Sequence, residues 1–255
     1  MRILSWNVNG MRSVLKTGFH EWLLKEQPDV LCLQETRAMP EDIPDADRAP
    51  KGYMSLWNPA EKKGYSGTGI YIRSPHEPLS VSTLGVSDFD VEGRLQVVEF
   101  KDFAILNGYW PNSQDKRTRL AYKLAFVDAV TKFSKKLVKK GKHVILCGDF
   151  NIAHTEIDLA RPKGNENSPG YYIEEREAMT AFLKAGFVDT FRHHCKEPGH
   201  YSWWSFRTNA RERNVGWRID YHCVNTDFID RVQRAWISSD VMGSDHCPVG
   251  IELKS

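Results

Sequence analysis

The sequence predicts an α/β fold of layered strands and helices, and three observations carry that prediction. Short apolar runs, most of them four to eight residues, recur along the whole chain and are bounded by Gly, Asp, Asn or Pro, as buried strands are. Between them lie three stretches with apolar residues at helical spacing. Two of the runs, 95–100 and 103–109, follow each other as closely as a hairpin, so the sheets are not purely parallel.

In chain order, a first strand is expected over 2–8 and a helix over 18–25, the helix stopping near Pro28. Strands follow at 29–34, 68–72, 95–100 and 103–109. The longest helix is expected over 116–140, where Leu120, Leu124, Val127, Val130, Phe133 and Leu137 share one face. Lysines crowd its last turns, where they suit the helix dipole. A strand at 143–147, a helix at 173–185 ending at Gly186, and strands at 218–224 and 249–253 complete the set. Pro and Gly are scattered as turns and no low-complexity linker appears, so residues 1–255 are expected to form one domain.

Composition narrows the class. With 41% apolar residues and 12 Phe, 9 Tyr and 8 Trp, the chain is globular. A net charge of +2 leaves room for a local positive face but no polybasic tail. The five cysteines are odd in number and lack CxxC spacing, which excludes a disulfide framework or a cysteine zinc site as the expected reading. The chain enters its first strand without a signal-like or membrane-spanning stretch, so a soluble, cytoplasmic protein is expected.

A weak internal echo points to chemistry. The run Ile3-Leu4-Ser5-Trp6 leads into Asn7-Val8-Asn9-Gly10, and Val144-Ile145-Leu146-Cys147 leads into Gly148-Asp149-Phe150-Asn151. In an extended strand, side chains two apart share a face, so each pair would aim two polar groups together. Forming a turn is the ordinary role of such residues at strand ends. Other polar groups stand in similar places: Glu35 after the apolar run 30–33, Tyr109 and Asn112 at the end of another, Asp220 within 218–224, and Asp245 beside His246 before the last strand.

Taken as a set, these residues suit a hard cation and a phosphodiester. Magnesium takes oxygen ligands, often one or two carboxylates with retained waters, and Glu35 with Asn7, Asn9 or Asp245 offers them. Asp149 would orient or deprotonate a water that Asn151 positions. His246, if held by Asp220, would be cationic or strongly polarised and could bind a non-bridging phosphoryl oxygen, with Tyr109 and Asn112 as further donors.

The residues also match a known family. SWNVNG (5–10), LQET (33–36), GYSG (64–67), EGR (92–94), YWPN (109–112), CGDFNIAH (147–154), EIDL (156–159), NVGWRIDY (214–221) and GSDHCP (243–248) span nearly the whole chain. In these segments the chain closely resembles the exonuclease III/abasic-endonuclease family of the endonuclease–exonuclease–phosphatase superfamily, its archaeal and bacterial members above all. The resemblance implies a four-layer α/β sandwich of two packed mixed β-sheets flanked by helices. It implies Mg2+, with Mn2+ as an alternative, on the side of Asn7, Asn9, Glu35 and Asp245. It assigns Asp149 and Asn151 to the attacking water, His246 with Asp220 to the scissile phosphate, and Tyr109 and Asn112 to phosphate contacts.

The implied reaction is incision of damaged double-stranded DNA 5′ to an abasic site, with deaminated bases as a further lesion class and 3′→5′ exonuclease and 3′-phosphodiesterase side activities. Trp203, Trp217 and Ile219 would wall the slot for an extrahelical nucleotide, although such aromatics serve equally well in a core. Tyr65 and Arg207 would lie near the grooves, and Lys163, Asn165 and Asn167 near backbone phosphates. A monomer without an obligate protein partner or membrane contact is expected.

The chain departs from some relatives in three places: Asn9 stands where several carry Asp, Trp110 replaces a smaller residue, and Ser113-Gln114-Asp115-Lys116 lacks a groove arginine. Two other readings compete: a superfamily phosphatase acting on inositol phosphates or lipid headgroups, and a catalytically inactive RNA-binding relative. The Tyr201 to Phe206 aromatics argue against the first, and the presence of Glu35, Asp149, Asp220 and His246 against the second.

Overall fold

In a computed structural model that describes residues 1–254, twelve strands form two six-stranded sheets. The strands are β1 (Arg2–Asn7), β2 (Val30–Gln34), β3 (Tyr53–Asn58), β4 (Thr68–Arg73), β5 (Ser80–Ser82) and β6 (Leu95–Glu99). They continue as β7 (Phe103–Tyr109), β8 (His143–Asp149), β9 (Phe187–Asp189), β10 (Asp220–Asn225), β11 (Val232–Ile237) and β12 (Val249–Leu253). The helices are α1 (Met11–Val14), α2 (Phe19–Glu26), α3 (Asp45–Arg48), α4 (Ser87–Asp90), α5 (Leu120–Lys139), α6 (Ile173–Lys184) and α7 (Thr190–His194).

One sheet has the order β11-β12-β1-β2-β4-β3 and the other β5-β6-β7-β8-β10-β9. Each has a single parallel pair at its centre, β1 with β2 and β7 with β8, and is antiparallel elsewhere. The central strands are apolar on both faces because both are covered. Ile3, Val30, Cys32, Ile105, Ile145 and Cys147 fill the space between the sheets. The alternate residues Leu4, Trp6, Leu31 and Leu33 pack outward on Phe19 and Leu23 of α2. In the second sheet Leu106, Val144 and Leu146 pack outward on Phe126, Val130 and Phe182 of α5 and α6. Period-two alternation thus serves two cores at once, giving four layers: helix, sheet, sheet, helix.

The sequence reading locates all eight interior strands and none of the four edge strands, β3, β5, β9 and β11. An edge strand is short or only half covered, so the apolar run that marks a strand is missing. The long helix begins at Leu120 and not near 116, because Gln114, Lys116 and Arg117 take positive φ values of 59°, 59° and 61°. The strand expected from 218 begins at Asp220, since Arg218 turns away to pair with Asp158 and Asp189. All five cysteines are free, and no helix among the described residues is long and apolar enough to cross a membrane.

Candidate active site

The four central parallel strands end on the same side of the molecule, and their last residues supply the polar groups. β1 ends in Asn7, β2 leads into Glu35, β7 ends in Tyr109 and β8 in Asp149. The antiparallel strands contribute their beginnings, with Asp220 opposite Asp149 and His246 just before β12. β7 and β8 can converge here because residue 148 is glycine: its φ is 135°, and a Cβ would lie 1.9 Å from the carbonyl oxygen of Gly108. Tyr109 and Asp149 are therefore cross-strand neighbours.

The echoing pairs are real, but their geometry is not that of an extended strand. Asn9 and Asn151 have positive φ values of 47° and 51°. In each pair the first side chain accepts the backbone N–H of the second, Asn9 N to Asn7 Oδ1 at 2.9 Å and Asn151 N to Asp149 Oδ1 at 2.8 Å. Each strand thus ends in an Asx turn, and the turn-forming and site-forming roles coincide.

Asn7 Nδ2 then donates to two carboxylates, Glu35 Oε2 at 3.0 Å and Asp149 Oδ2 at 2.9 Å. Asn151 Nδ2 donates to Trp110 O at 3.0 Å and Asp149 Oδ2 at 3.1 Å, and its Oδ1 accepts from Asn112 Nδ2 at 3.2 Å. Asp245 is held by Asn9 Nδ2 at 2.8 Å and by the Trp203 indole N–H at 2.9 Å. His246 Nδ1 meets Asp220 Oδ2 at 2.8 Å, while its Nε2 lies 3.8 Å from Asp149 Oδ2.

The charges follow from burial. Asp149 is 1% exposed, and burial pushes its carboxyl up to about 7, with the Asp220 charge adding to the shift and His246 opposing it. Burial by itself would depress the His246 imidazole, but Asp220 and Asp149 outweigh it and lift its pKa to about 10. Between these values Asp149 is ionised and His246 is cationic. Burial, then the Glu35 and Asp149 charges, hold the Tyr109 phenol well above its usual pKa, so it is a proton donor at neutral pH.

The buried cluster could hold a metal ion: Asp149, Asp220 and His246 bring candidate ligand atoms within 4.8 Å of one another. Within that trio a cationic imidazole has no lone pair to offer. Glu35 with the adjoining Asp149 makes a better oxygen set for a hard cation. Asn7 stands between them as a donor, because its NH2 group faces both carboxylates and its oxygen is taken by the Asn9 amide.

Asn9, Glu35, Tyr109, Asn112, Asp149, Asn151, Asp245 and His246 line a cleft of about 270 Å3 together with Trp203, Trp217 and Ile219, whereas Asn7 and Asp220 are buried and stand outside the lining. The two indoles are edge to face, with ring centroids 6.2 Å apart at 89°. Five other predicted substrate contacts are not in the lining. Arg207 is exposed on the turn that follows Ser205. The Tyr65 hydroxyl accepts from Arg94 at 2.9 Å and Arg119 at 2.6 Å, so it braces Arg94, whose guanidinium lies over the Tyr109 ring. Lys163 lies in a 3-10 turn, Pro162–Gly164, and Asn165 and Asn167 in the loop after it, whose next residues, Ser168 to Gly170, reach the cleft. Trp110 is a core residue, stacked on Phe150 at 4.0 Å.

Sequence reasoning missed three supports. Arg37 pairs with Glu35 at the cleft mouth. A fully buried Lys123–Glu175 pair at 2.6 Å anchors Asn151 O and Gly170 N. Ser202 donates to Asp220. Lys123 and Glu175 sit on helices, where charge ordinarily means solvent, so only tertiary structure reveals them.

Comparison with known proteins gives a consistent picture. A family model described as "Endonuclease/Exonuclease/phosphatase family" matches residues 4–246. The exodeoxyribonuclease of Bacillus subtilis (strain 168) is 47% identical, over 98% of this chain and 98% of its own length. The DNA-(apurinic or apyrimidinic site) endonuclease of Dictyostelium discoideum is 41% identical, over 98% of this chain and 70% of its own. The solved AP endonuclease LMAP from Leishmania major has a TM-score of 0.89 at 30% identity, covering 100% of this chain and 87% of that one.

Proposed function

The chain belongs to the Endonuclease/Exonuclease/phosphatase family, and on that premise we propose that it is a metal-dependent DNA repair nuclease that incises duplex DNA 5′ to abasic sites. The product would carry a 3′-hydroxyl, and 3′→5′ exonuclease and 3′-phosphodiesterase reactions would run at the same site. One observation carries the reading: the Asp149 carboxylate and the His246 imidazole lie 3.8 Å apart in a cleft that also has an indole-lined apolar wall.

In this mechanism Asp149 takes or orients the proton of the attacking water, and Asn151 holds the carboxylate in place through its two N–H donors. His246, fixed by Asp220, binds a phosphoryl oxygen as charge develops. Tyr109 and Asn112 donate further hydrogen bonds, and Trp203, Trp217 and Ile219 receive the baseless sugar. A Mg2+ ion near Glu35, Asp149 and Asp245, or Mn2+ in its place, would supply electrostatic stabilisation of the leaving oxygen. Outside the cleft, Arg207, Tyr65, Lys163, Asn165 and Asn167 would help hold the duplex. The protein would work as a cytoplasmic monomer without an obligate partner.

A phosphatase acting on inositol phosphates or lipid headgroups, or an inactive RNA-binding relative, is not favoured. The named relatives are nucleases, and Glu35, Asp149, Asp245 and His246 line the cleft with Asp220 held against His246. The test is incubation of the pure protein with Mg2+ and a duplex carrying one abasic analogue. Nicking on the 5′ side is expected, and an intact duplex would sink the reading. A panel with uracil, hypoxanthine and 3′-blocked ends then sets the range of lesions.

A further inference from the structure

Asp220 is buried and has an unusual division of labour between its two oxygens. Oδ1 has no hydrogen-bond partner among the described residues, while Oδ2 receives both His246 Nδ1 at 2.8 Å and the Ser202 hydroxyl at 2.7 Å. Ser202 is itself wholly buried. Its oxygen accepts two backbone N–H groups, from Ile219 at 3.2 Å and Asp220 at 3.1 Å. A serine hydroxyl offers two acceptor sites and one proton. With both acceptor sites occupied, the direction of the proton is fixed onto Asp220 Oδ2.

That constraint matters because two carboxylates compete for one imidazole. His246 faces Asp220 through Nδ1 and Asp149 through Nε2, the latter at 3.8 Å. A carboxylate with one bare oxygen is free to rotate unless something holds the other. The main chain of Ser202 is equally placed: its N–H donates to Trp217 O at 2.9 Å, and its carbonyl accepts Cys247 N at 2.8 Å. One residue therefore joins the segment that carries the slot wall, just before β10, to the segment that carries His246, just before β12.

We propose that Ser202 is a positioning residue, whose hydroxyl locks Asp220 so that His246 is held by Nδ1 and presents Nε2 to the cleft. The inference rests on the nuclease reading, but it makes its own predictions. Removing the hydroxyl takes away a hydrogen bond to a charged group and leaves two backbone N–H donors without their acceptor. The slot, the metal side and Asp149 keep their partners. The loss should appear in turnover and not in DNA binding.

The experiment compares the parent chain with Ser202→Ala and Ser202→Thr, on an abasic-analogue duplex with Mg2+. Ser202→Ala is expected to lower kcat by about 10- to 100-fold with KM within about threefold. Ser202→Thr, which retains the hydroxyl, is expected to recover most of kcat. If Ser202→Ala does not fold, Ser202→Cys, with a weaker donor of similar size, should show a loss of the same kind.

A second readout needs no catalysis: the downfield proton resonance of the His246 Nδ1–H bond should be present in the parent and Ser202→Thr, and broadened or lost in Ser202→Ala or Ser202→Cys. A folded Ser202→Ala with parental kcat and an unchanged resonance would overturn the proposal, as would Ser202→Thr behaving like Ser202→Ala. A parent that cuts nothing yet shows the Ser202-dependent resonance would overturn the nuclease reading and leave the positioning role standing.

Discussion

The ends of β1 and β8 share one backbone design and have opposite electrostatics. Both close in an Asx turn with the following asparagine at positive φ, and both sit in the central parallel pair of their sheet. At the end of β1 the turn residue is an amide, and Asn7 uses its NH2 group to bridge two carboxylates. At the end of β8 it is a carboxylate, and Asp149 can only accept. The same local geometry therefore makes a neutral clamp in one sheet and a buried carboxylate acceptor in the other. Backbone fixes where the group stands; its charge decides what it does.

Three substitutions separate the two roles. The largest effect is expected from Asp149→Asn, which makes the second turn chemically like the first. Single-turnover nicking should fall by about 10^2- to 10^4-fold while binding of the uncut duplex persists, measured by fluorescence anisotropy. Loss of binding with the activity would mean that Asp149 serves the architecture more than the chemistry.

Asn7→Ala removes the clamp and leaves both charges. Glu35 and Asp149 lose their shared donor, so a destabilisation of about 1–3 kcal/mol in urea unfolding is expected, with a smaller loss of rate than for Asp149→Asn. An Asn7→Ala protein as stable as the parent would dissolve the distinction between clamp and charge.

The last contrast is in pH dependence, and it should lie chiefly on the β8 side. Asp149 and His246 have folded pKa values raised to about 7 and about 10, so the folded state holds both protons more tightly than the unfolded state. The stability each contributes is present at low pH, and is lost as pH rises through about 7 for Asp149 and about 10 for His246. In buffer free of divalent ions the melting temperature should therefore decline in two steps, one between pH 3.8 and about 7 for Asp149 and one between pH 6.5 and about 10 for His246. Asp149→Asn should remove the first step and His246→Asn the second, while Asn7→Ala lowers the whole curve and keeps both.

The sequence revealed these two regions unequally. Asp149, Asn151, Asp220 and His246 follow apolar strands or sit in short polar motifs, and their convergence needs only the knowledge that the central strands end together. The bracing groups were illegible for a physical reason. Lys123 and Glu175 look like solvent-facing helix charges until α5 and α6 are packed on the sheet, where each has no exposed side-chain surface. Ser202 is one small hydroxyl between tyrosine and tryptophan, and nothing in its neighbours announces an acid 18 residues away. Charge partners brought from distant elements leave no periodicity behind. The four edge strands were hidden for the converse reason, since they lack the doubly apolar character of the strands they flank.

That weakness at the margins has its own consequence for how the molecule behaves at high concentration. β5 and β9 are only three residues long, every residue of β5 is exposed, and β11 carries a register shift between Val232 and Arg234 with Arg234 charged and exposed. None of these rims presents the long, flat row of unpaired amides on which a second chain could build a continuous sheet. On these three of the four rims, strongly apolar interior strands are thus shielded from edge-to-edge pairing by the segments least recognisable as strands.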